Sequence, residues 1–199
     1  MAPWTFTSSG RQIEVLATAD WVEEIRQDKG RAELTGVDQE GRYEAAFCDM
    51  FVSKLSATSV LLDIGAGYGL YSVIAAHVCP PKNIHSFEPD RLCRWFLGLN
   101  NKKYCNGQLN IESRFVSSKT NRESVTVDDY CAQHTVRPTV IKMDIEGGRS
   151  KQSRACDGYA WNIARSSSWS SICASCVRFG KPTPRGRANA GVLRLSPTF

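Results

Sequence analysis

The sequence predicts an α/β protein built on a parallel sheet, and three observations support that fold class. Short apolar runs at residues 60–64, 84–88 and 139–147 alternate with segments whose apolar residues repeat at helical spacing. Three glycines at two-residue spacing directly follow the first run. An acidic residue stands near the end of every run. Strands that alternate with helices form a parallel sheet, and the turns that follow its strands line a ligand crevice.

Length and composition bound the possible classes of protein. The 199 residues fit a single domain, and 42% of them are hydrophobic, which is enough for a core. No apolar run approaches the roughly 18 residues of a membrane span. The first residues lack the basic and then apolar build of a secretory signal. We therefore expect a cytoplasmic protein without a membrane span.

The net charge of +5 is unevenly distributed along the chain. Residues 1–146 hold 16 basic and 19 acidic residues, a net charge of −3, whereas residues 147–199 hold 9 basic residues and one acid, a net charge of +8. The basic segment could contact phosphates nonspecifically. It contains no recognisable nucleic-acid-binding module, so we expect no specific nucleic-acid partner.

Residues 1–42 are interpreted as an extension that precedes the core. Residues 12–16 predict a short edge strand. Asp20 is a candidate N-cap for a helix that runs through Ile25, and the polar residues 28–42 predict a loop. An amphipathic helix follows, and its apolar face is predicted to contain Tyr43, Ala46, Phe47, Met50 and Phe51.

The glycine turn is the strongest local signal in the sequence. The turn Gly65–Gly69 has glycine at its first, third and fifth positions, between a strand at 60–64 and a helix that runs to about Val78. Glycine lets the backbone turn sharply and lets a ligand lie against bare main chain. A dinucleotide fingerprint requires its third glycine at position 70, where this chain has Leu70, and this disfavours an NAD-dependent oxidoreductase. A glycine-rich loop without a ligand is the alternative.

The second apolar run, residues 84–88, ends in Glu88. Pro89 and Asp90 follow it and favour the first turn of a helix. Glu88 lies 19 residues beyond Gly69, and an acid at that distance is where a doubly wound fold binds ribose hydroxyls. An ordinary surface glutamate is the alternative. The helix after Asp90 is predicted to bury Leu92, Trp95, Phe96 and Leu99.

Two further runs complete the predicted sheet. Residues 109–117 predict a third strand, and residues 139–147 predict a fourth. In the strand order 3-2-1-4 the fourth strand lies beside the first, so Asp144 and Glu146 would face a ligand held by the glycine turn. Lys142 shares their face. A salt bridge between Lys142 and a neighbouring carboxylate is the alternative interpretation of these charges.

Taken in series, these motifs resemble the FkbM family of S-adenosylmethionine (SAM)-dependent methyltransferases over about residues 43–147. A Phe-Glu-Pro block, an Asp-Asp block and a Lys-x-Asp-x-Glu-Gly block occur in the family's order, and together they are fairly specific. The matching blocks are Tyr43–Glu44, Leu62–Ser72, Phe87–Asp90 with the later Leu99–Asn100, Val125–Tyr130 and Ile141–Gly147.

The resemblance implies a Rossmann-like core that moves the methyl group of SAM to a hydroxyl of a small-molecule acceptor, typically a sugar, a lipid or a secondary metabolite. It implies that Glu88 holds the ribose and that Glu44 helps to seat the amino end of SAM. A base must take the hydroxyl proton, and Asp144 and Glu146 are the candidates; the chemistry requires no metal. The implied cofactor-binding positions are Asp63, Ile64, Gly65, Ala66, Gly67, Gly69, Glu88 and Pro89.

The sequence departs from the family pattern at two places. The segment before Val125 is short, and the pattern is lost after Gly147, where residues 148–199 become rich in serine and arginine. We therefore predict a SAM-binding core at residues 43–147, a sheet that is incomplete after its fourth strand, and an irregular or disordered tail. A truncated or frameshifted remnant that at most binds SAM, without catalysis, is the alternative function.

Overall fold

The computed structural model of this protein describes residues 1–32 and 36–144, together with the backbone of residues 176–178. The chain begins with an antiparallel hairpin of β1 (Ala2–Ser8) and β2 (Arg11–Ala17). The predicted edge strand at 12–16 is thus confirmed, although the sequence analysis missed its partner β1. Alternating burial along β1 and β2 shows that one face of the hairpin packs on the core.

Two helices connect the hairpin to the sheet. Helix α1 (Ala19–Gln27) is capped by Thr18, whose hydroxyl accepts a hydrogen bond from the Trp21 N–H at 3.2 Å. The prediction of Asp20 as the cap was wrong, because the cap lies two residues earlier, at Thr18, and Asp20 lies in the first turn of the helix. Helix α2 (Ala45–Ser53) buries Phe47, Cys48 and Phe51. Ala46, predicted on the buried face, is exposed.

The remaining described chain alternates strands and helices as predicted. In order, these elements are β3 (Leu61–Ile64), α3 (Leu70–Ala76), a 3₁₀ turn (Pro81–Asn83), β4 (Ile84–Phe87), α4 (Arg91–Tyr104), β5 (Asn110–Glu112), β6 (Phe115–Val116), β7 (Ser124–Val125), α5 (Val127–His134), β8 (Val140–Met143) and β9 (Cys176–Arg178). The predicted third strand at 109–117 divides into β5 and β6.

The central sheet confirms the predicted α/β, Rossmann-like topology. Within the described residues its order is β5-β4-β3-β8-β9, and every neighbouring pair is parallel. The first four strands reproduce the order 3-2-1-4, with Leu61 of β3 opposite both Ile84 and Val140. The backbone of β9 pairs with residues 141–143 of β8, so one strand continues the sheet beyond the fourth strand, where the sequence predicted it to be incomplete. The rest of the predicted tail lies outside the described residues.

The sheet has an apolar cluster on each face. One cluster contains Leu61 and Ile84 and also includes Trp4 and Ile13, so the hairpin belongs to the same core. The other contains Leu62, Ile64 and Phe87, with α5 packed over them. No helix in the described part of the chain is long and apolar enough to cross a membrane.

Helix α4 buries a stripe that only partly matches the predicted one. Phe96 is buried as predicted, and Leu99 is partly buried. Leu92 and Trp95 are each 55% exposed, so their predicted burial was wrong. The buried residues are Phe96, Leu97, Asn100 and Asn101. Two asparagines occupy the core-facing stripe, and their polarity hid the true phase of the helix from an analysis based on apolar spacing.

Candidate functional site

The glycine turn lies over the carboxyl ends of β3 and β4. Gly65, Gly67 and Gly69 have φ values of 76°, 56° and 94°, in the left-handed region that favours glycine. The N–H groups of Gly65 and Ala66 both donate to the carbonyl oxygen of Phe87 at 3.0 Å. These bonds place the turn at the end of β4, the position that Glu88 follows.

Two of the glycines face different surroundings. A Cβ on Gly69 would stand 2.7 Å from the Cδ1 atom of Leu97, so glycine lets α3 and α4 pack closely. A Cβ on Gly67 would meet no atom of the described residues within 4 Å. The middle of the turn therefore presents bare main chain to open space, and this is the space that a ligand lying along the turn requires.

Glu88 contacts the turn directly. Its Oε2 accepts a hydrogen bond from the Gly67 N–H at 2.7 Å, and its Oε1 accepts one from the Asp90 N–H at 2.8 Å. The side chain is buried, and burial raises the pKa of Glu88, although the N–H groups of Asp90 and Gly67 act in the opposite direction. A carboxylate has about four lone-pair sites. Glu88 thus keeps acceptor capacity for a diol after binding two amides.

Asp63 lies beneath the turn and does not face the crevice. It is fully buried, and its Oδ2 accepts a hydrogen bond from the Ser72 hydroxyl at 2.6 Å. The Nζ of Lys142 lies 3.1 Å from Oδ1 as an ion pair without hydrogen-bond geometry. Asp63, implied by the resemblance as a cofactor-binding position, therefore supports the turn from below. The reason is that both faces of β3 are covered.

Lys142 adopts the alternative arrangement considered from the sequence, a salt bridge with a neighbouring carboxylate. It is 1% exposed. Besides its ion pair with Asp63, its Nζ donates to the Gly65 carbonyl oxygen at 2.9 Å and lies 4.6 Å from the ring centroid of Tyr71. This buried ammonium therefore holds the first residue of the glycine turn from below.

The side chains of Ile64 and Ala66 are buried in the two apolar clusters, so each can contribute only its main chain to a ligand. Pro89 is partly buried, and its carbonyl oxygen accepts a hydrogen bond from Nη1 of Arg94 at 2.7 Å. Pro89 thus fixes the path of the chain from Glu88 into α4.

Glu44 and Asp144 form the acidic side of the turn opposite Glu88. The Tyr71 hydroxyl donates to Oε2 of Glu44 at 2.5 Å. Burial raises the pKa of Glu44, and the negative charge of Asp144 raises it further. Asp144 is placed at the end of β8 by a 3.0 Å hydrogen bond from its N–H to the Ile64 carbonyl oxygen. Glu146, the second predicted base, lies outside the described residues.

Asn100 is a site residue to which the sequence analysis assigned no role. It is fully buried in α4, and its Nδ2 donates to the Tyr68 carbonyl oxygen within the turn at 2.7 Å. Its position in the Leu99–Asn100 block was the only available signal. The contact with the turn spans 32 residues of sequence, which local spacing does not reveal.

No group of three or more His, Cys, Asp or Glu residues in the described ranges is arranged to hold a metal ion.

No family model matches the sequence, and no curated protein matches it significantly.

Three solved structures resemble parts of this chain. A proposed RNA methyltransferase from Pyrococcus horikoshii shares 16% identity over 69% of this chain, with a TM-score of 0.46. A precorrin-6y C5,15-methyltransferase from Geobacter metallireducens shares 21% over 53%, with a TM-score of 0.37. A proposed methyltransferase in complex with SAH shares 12% over 75%, with a TM-score of 0.40. The matches span 58%, 50% and 34% of those proteins, so this chain covers less than two thirds of the length of each.

Proposed function

We propose that this protein is a SAM-dependent methyltransferase. The observation that carries the proposal is the contact between the Glu88 carboxylate and the Gly67 N–H at 2.7 Å, at the carboxyl ends of β3 and β4. An acidic side chain beside a glycine turn at this point of a parallel sheet is the arrangement that binds the ribose of an adenosine-containing cofactor.

The charges around the turn favour SAM over other adenosine cofactors. SAM carries a positive sulfonium and a positive amino group close together. Glu44 and Asp144 supply negative charge on the side of the turn opposite Glu88, and opposite charges attract strongly in a partly buried site. When bound, SAM supplies a methyl group already activated for transfer, so the protein needs mainly to position the acceptor and exclude water.

The same charges disfavour NAD. Its pyrophosphate would lie at the N-terminus of α3, and the Glu44 carboxylate, which accepts from the Tyr71 hydroxyl, adds negative charge beside Asp144 on one side of the turn. Two like charges repel, and Leu70 occupies the position of the third dinucleotide glycine.

We further propose that the acceptor group is a hydroxyl and that the protein is related to the FkbM family. Asp144 at the end of β8 is the base of the described chain that would take the hydroxyl proton, and Glu146 is the second candidate. A sugar, a lipid or a secondary metabolite is the proposed class of acceptor, in line with the resemblance of residues 43–147.

Calorimetric titration of the purified chain with S-adenosylhomocysteine (SAH) tests the proposal. We expect binding that weakens about 10- to 100-fold in Glu88→Gln, because hydrogen bonds to a charged acceptor are lost. Glu24→Gln, which changes an exposed carboxylate on α1, is the matched control and should bind as the wild type does. NAD should not compete.

Failure of a folded wild-type chain to bind SAH would refute the proposal. Tight binding of SAH without methyl transfer to any hydroxyl acceptor would instead support the non-catalytic remnant, because the cofactor half would be intact while the acceptor half would not.

A further inference from the structure

Asn100 joins two distant parts of the chain through one buried side chain. Besides its bond to the Tyr68 carbonyl oxygen, its Nδ2 donates to the Leu16 carbonyl oxygen at 2.9 Å, and its Oδ1 accepts from the Leu16 N–H at 2.7 Å. Leu16 lies 84 residues away in β2. The carboxamide thus satisfies both main-chain groups of Leu16, as a neighbouring strand would.

The hairpin register explains why Leu16 needs this partner. The two-residue turn makes Ser8 and Arg11 a hydrogen-bonded pair, and such pairs alternate along an antiparallel ladder. Leu16, opposite Pro3, therefore lies at a non-hydrogen-bonded position, where both its N–H and its carbonyl point away from β1. A buried polar group without a partner is costly. The Asn100 carboxamide therefore supplies the acceptor and the donor that β1 cannot offer to Leu16. The hairpin is therefore anchored to α4 and, through the same side chain, to the glycine turn.

The bond to Tyr68 acts on the part of the turn that is open. Tyr68 lies between Gly67, where an added Cβ would meet no atom of the described chain within 4 Å, and Gly69, which packs against Leu97. Fixing the Tyr68 carbonyl fixes the plane of the peptide that joins Tyr68 to Gly69, so it restricts the path of the chain directly after Gly67. Lys142 holds the Gly65 carbonyl in the same way, so buried donors hold the turn near both of its ends.

We propose that Asn100 is a positioning residue that couples the N-terminal hairpin to the cofactor turn, so that residues 2–17 stabilise the SAM-binding conformation without touching the cofactor. The role in cofactor binding rests on the proposed function. The mechanical coupling of hairpin and turn does not, and it can be measured without any ligand.

The first experiment compares Asn100→Ala with Asn101→Ala by hydrogen exchange and SAH titration. Asn101 is the same residue type at the next position and is also buried, but its Oδ1 accepts from the Leu109 N–H at 3.0 Å and not from the turn. In the ligand-free protein, we expect Asn100→Ala to speed exchange about tenfold or more in both residues 11–17 and residues 65–69. Asn101→Ala should affect only the region around Leu109.

The SAH titration gives the second readout. Asn100→Ala should weaken SAH binding about tenfold, whereas Asn101→Ala should leave it near the wild-type value. Asn100→Asp keeps the volume and the acceptor for the Leu16 N–H but loses both donors, so it should resemble Asn100→Ala. If the Asn100 variants do not fold, wild-type exchange with and without SAH decides: coupling predicts that SAH slows exchange in residues 11–17 as well as in the turn.

The outcomes separate the two proposals. If the wild type does not bind SAH, the proposed function fails, while the ligand-free exchange still tests the coupling. The coupling is overturned if Asn100→Ala leaves exchange in residues 65–69 unchanged, if Asn101→Ala speeds exchange there equally, or if SAH protects the turn of the wild type but not β2.

Discussion

Asp63 and Glu88 are both carboxylates beside the same glycine turn, yet they have different surroundings. The floor of the turn consists of Asp63, Ser72 and Lys142, all buried. The rim consists of Glu88, which is bonded to main-chain N–H groups of Gly67 and Asp90. In the floor, Asp63 has a charged partner in Lys142. At the rim, each oxygen of Glu88 accepts from a main-chain amide, and no salt bridge to Glu88 forms among the described residues.

The difference shows how the same functional group, a carboxylate, can either support the backbone of the turn or stay available to a ligand. The floor carboxylate is matched by a buried ammonium, so its charge is used to hold the backbone of the turn in place. The rim carboxylate is oriented by amides that leave part of its acceptor capacity unused. Orientation without charge neutralisation is what a diol-binding group requires.

The largest expected effect belongs to the floor. Lys142→Met leaves the Asp63 carboxylate buried without its cation, and removing one partner of a buried pair costs about 3–5 kcal/mol. Urea denaturation should show this loss in the free energy of unfolding. The double variant Asp63→Asn/Lys142→Met removes both charges and should recover much of the loss.

Lys103→Met is the matched control for that experiment. Lys103 pairs with Glu14 at 2.8 Å, but its side chain is 49% exposed, and such surface pairs contribute about 1 kcal/mol or less. An equal loss in Lys103→Met and Lys142→Met would contradict the assignment of Lys142 to a structural floor.

A smaller effect is expected in the open middle of the turn. Gly67→Ala and Gly107→Ala both place a side chain at positive φ, and in both the added Cβ would meet nothing within 4 Å. Each should cost about 1–2 kcal/mol of stability. Only Gly67→Ala should weaken SAH binding, because only its methyl group enters the proposed cofactor space. Equal SAH affinity in the two variants would place the cofactor elsewhere.

The smallest effect near neutral pH concerns the rim. Burial raises the pKa of Glu88 above its ordinary value of 4.5. Because the charged carboxylate accepts the ribose hydroxyls, SAH affinity should be constant at neutral pH and fall as the pH decreases through this raised pKa. The contribution of Glu88 to stability has the opposite sign: it is present at low pH and is lost as the pH rises through the same pKa. Titrations across a pH series, paired with thermal denaturation, check both directions.

The strand order and the placement of Glu88 beside the glycine turn could be predicted from the sequence. Each depends on a local pattern: an apolar run, a turn of glycines or an acid at the end of a run. The phase of α4 could not be predicted in this way, since Leu92 and Trp95 are exposed while Asn100 and Asn101 are buried. Apolar spacing identifies a buried face only when that face is apolar, and here hydrogen bonds to remote backbone groups stabilise polar residues inside it.

Local pattern therefore determined the α/β class, the 3-2-1-4 order and the candidate ribose carboxylate, because short runs of side chains specify strands and turns. Tertiary contact alone decided that Asp63 and Lys142 neutralise each other beneath the turn, and that Asn100 joins the turn to β2. The physical reason is that a charge or a carboxamide has no preferred partner in sequence. Its role depends on which groups the fold brings within about 3 Å while excluding water.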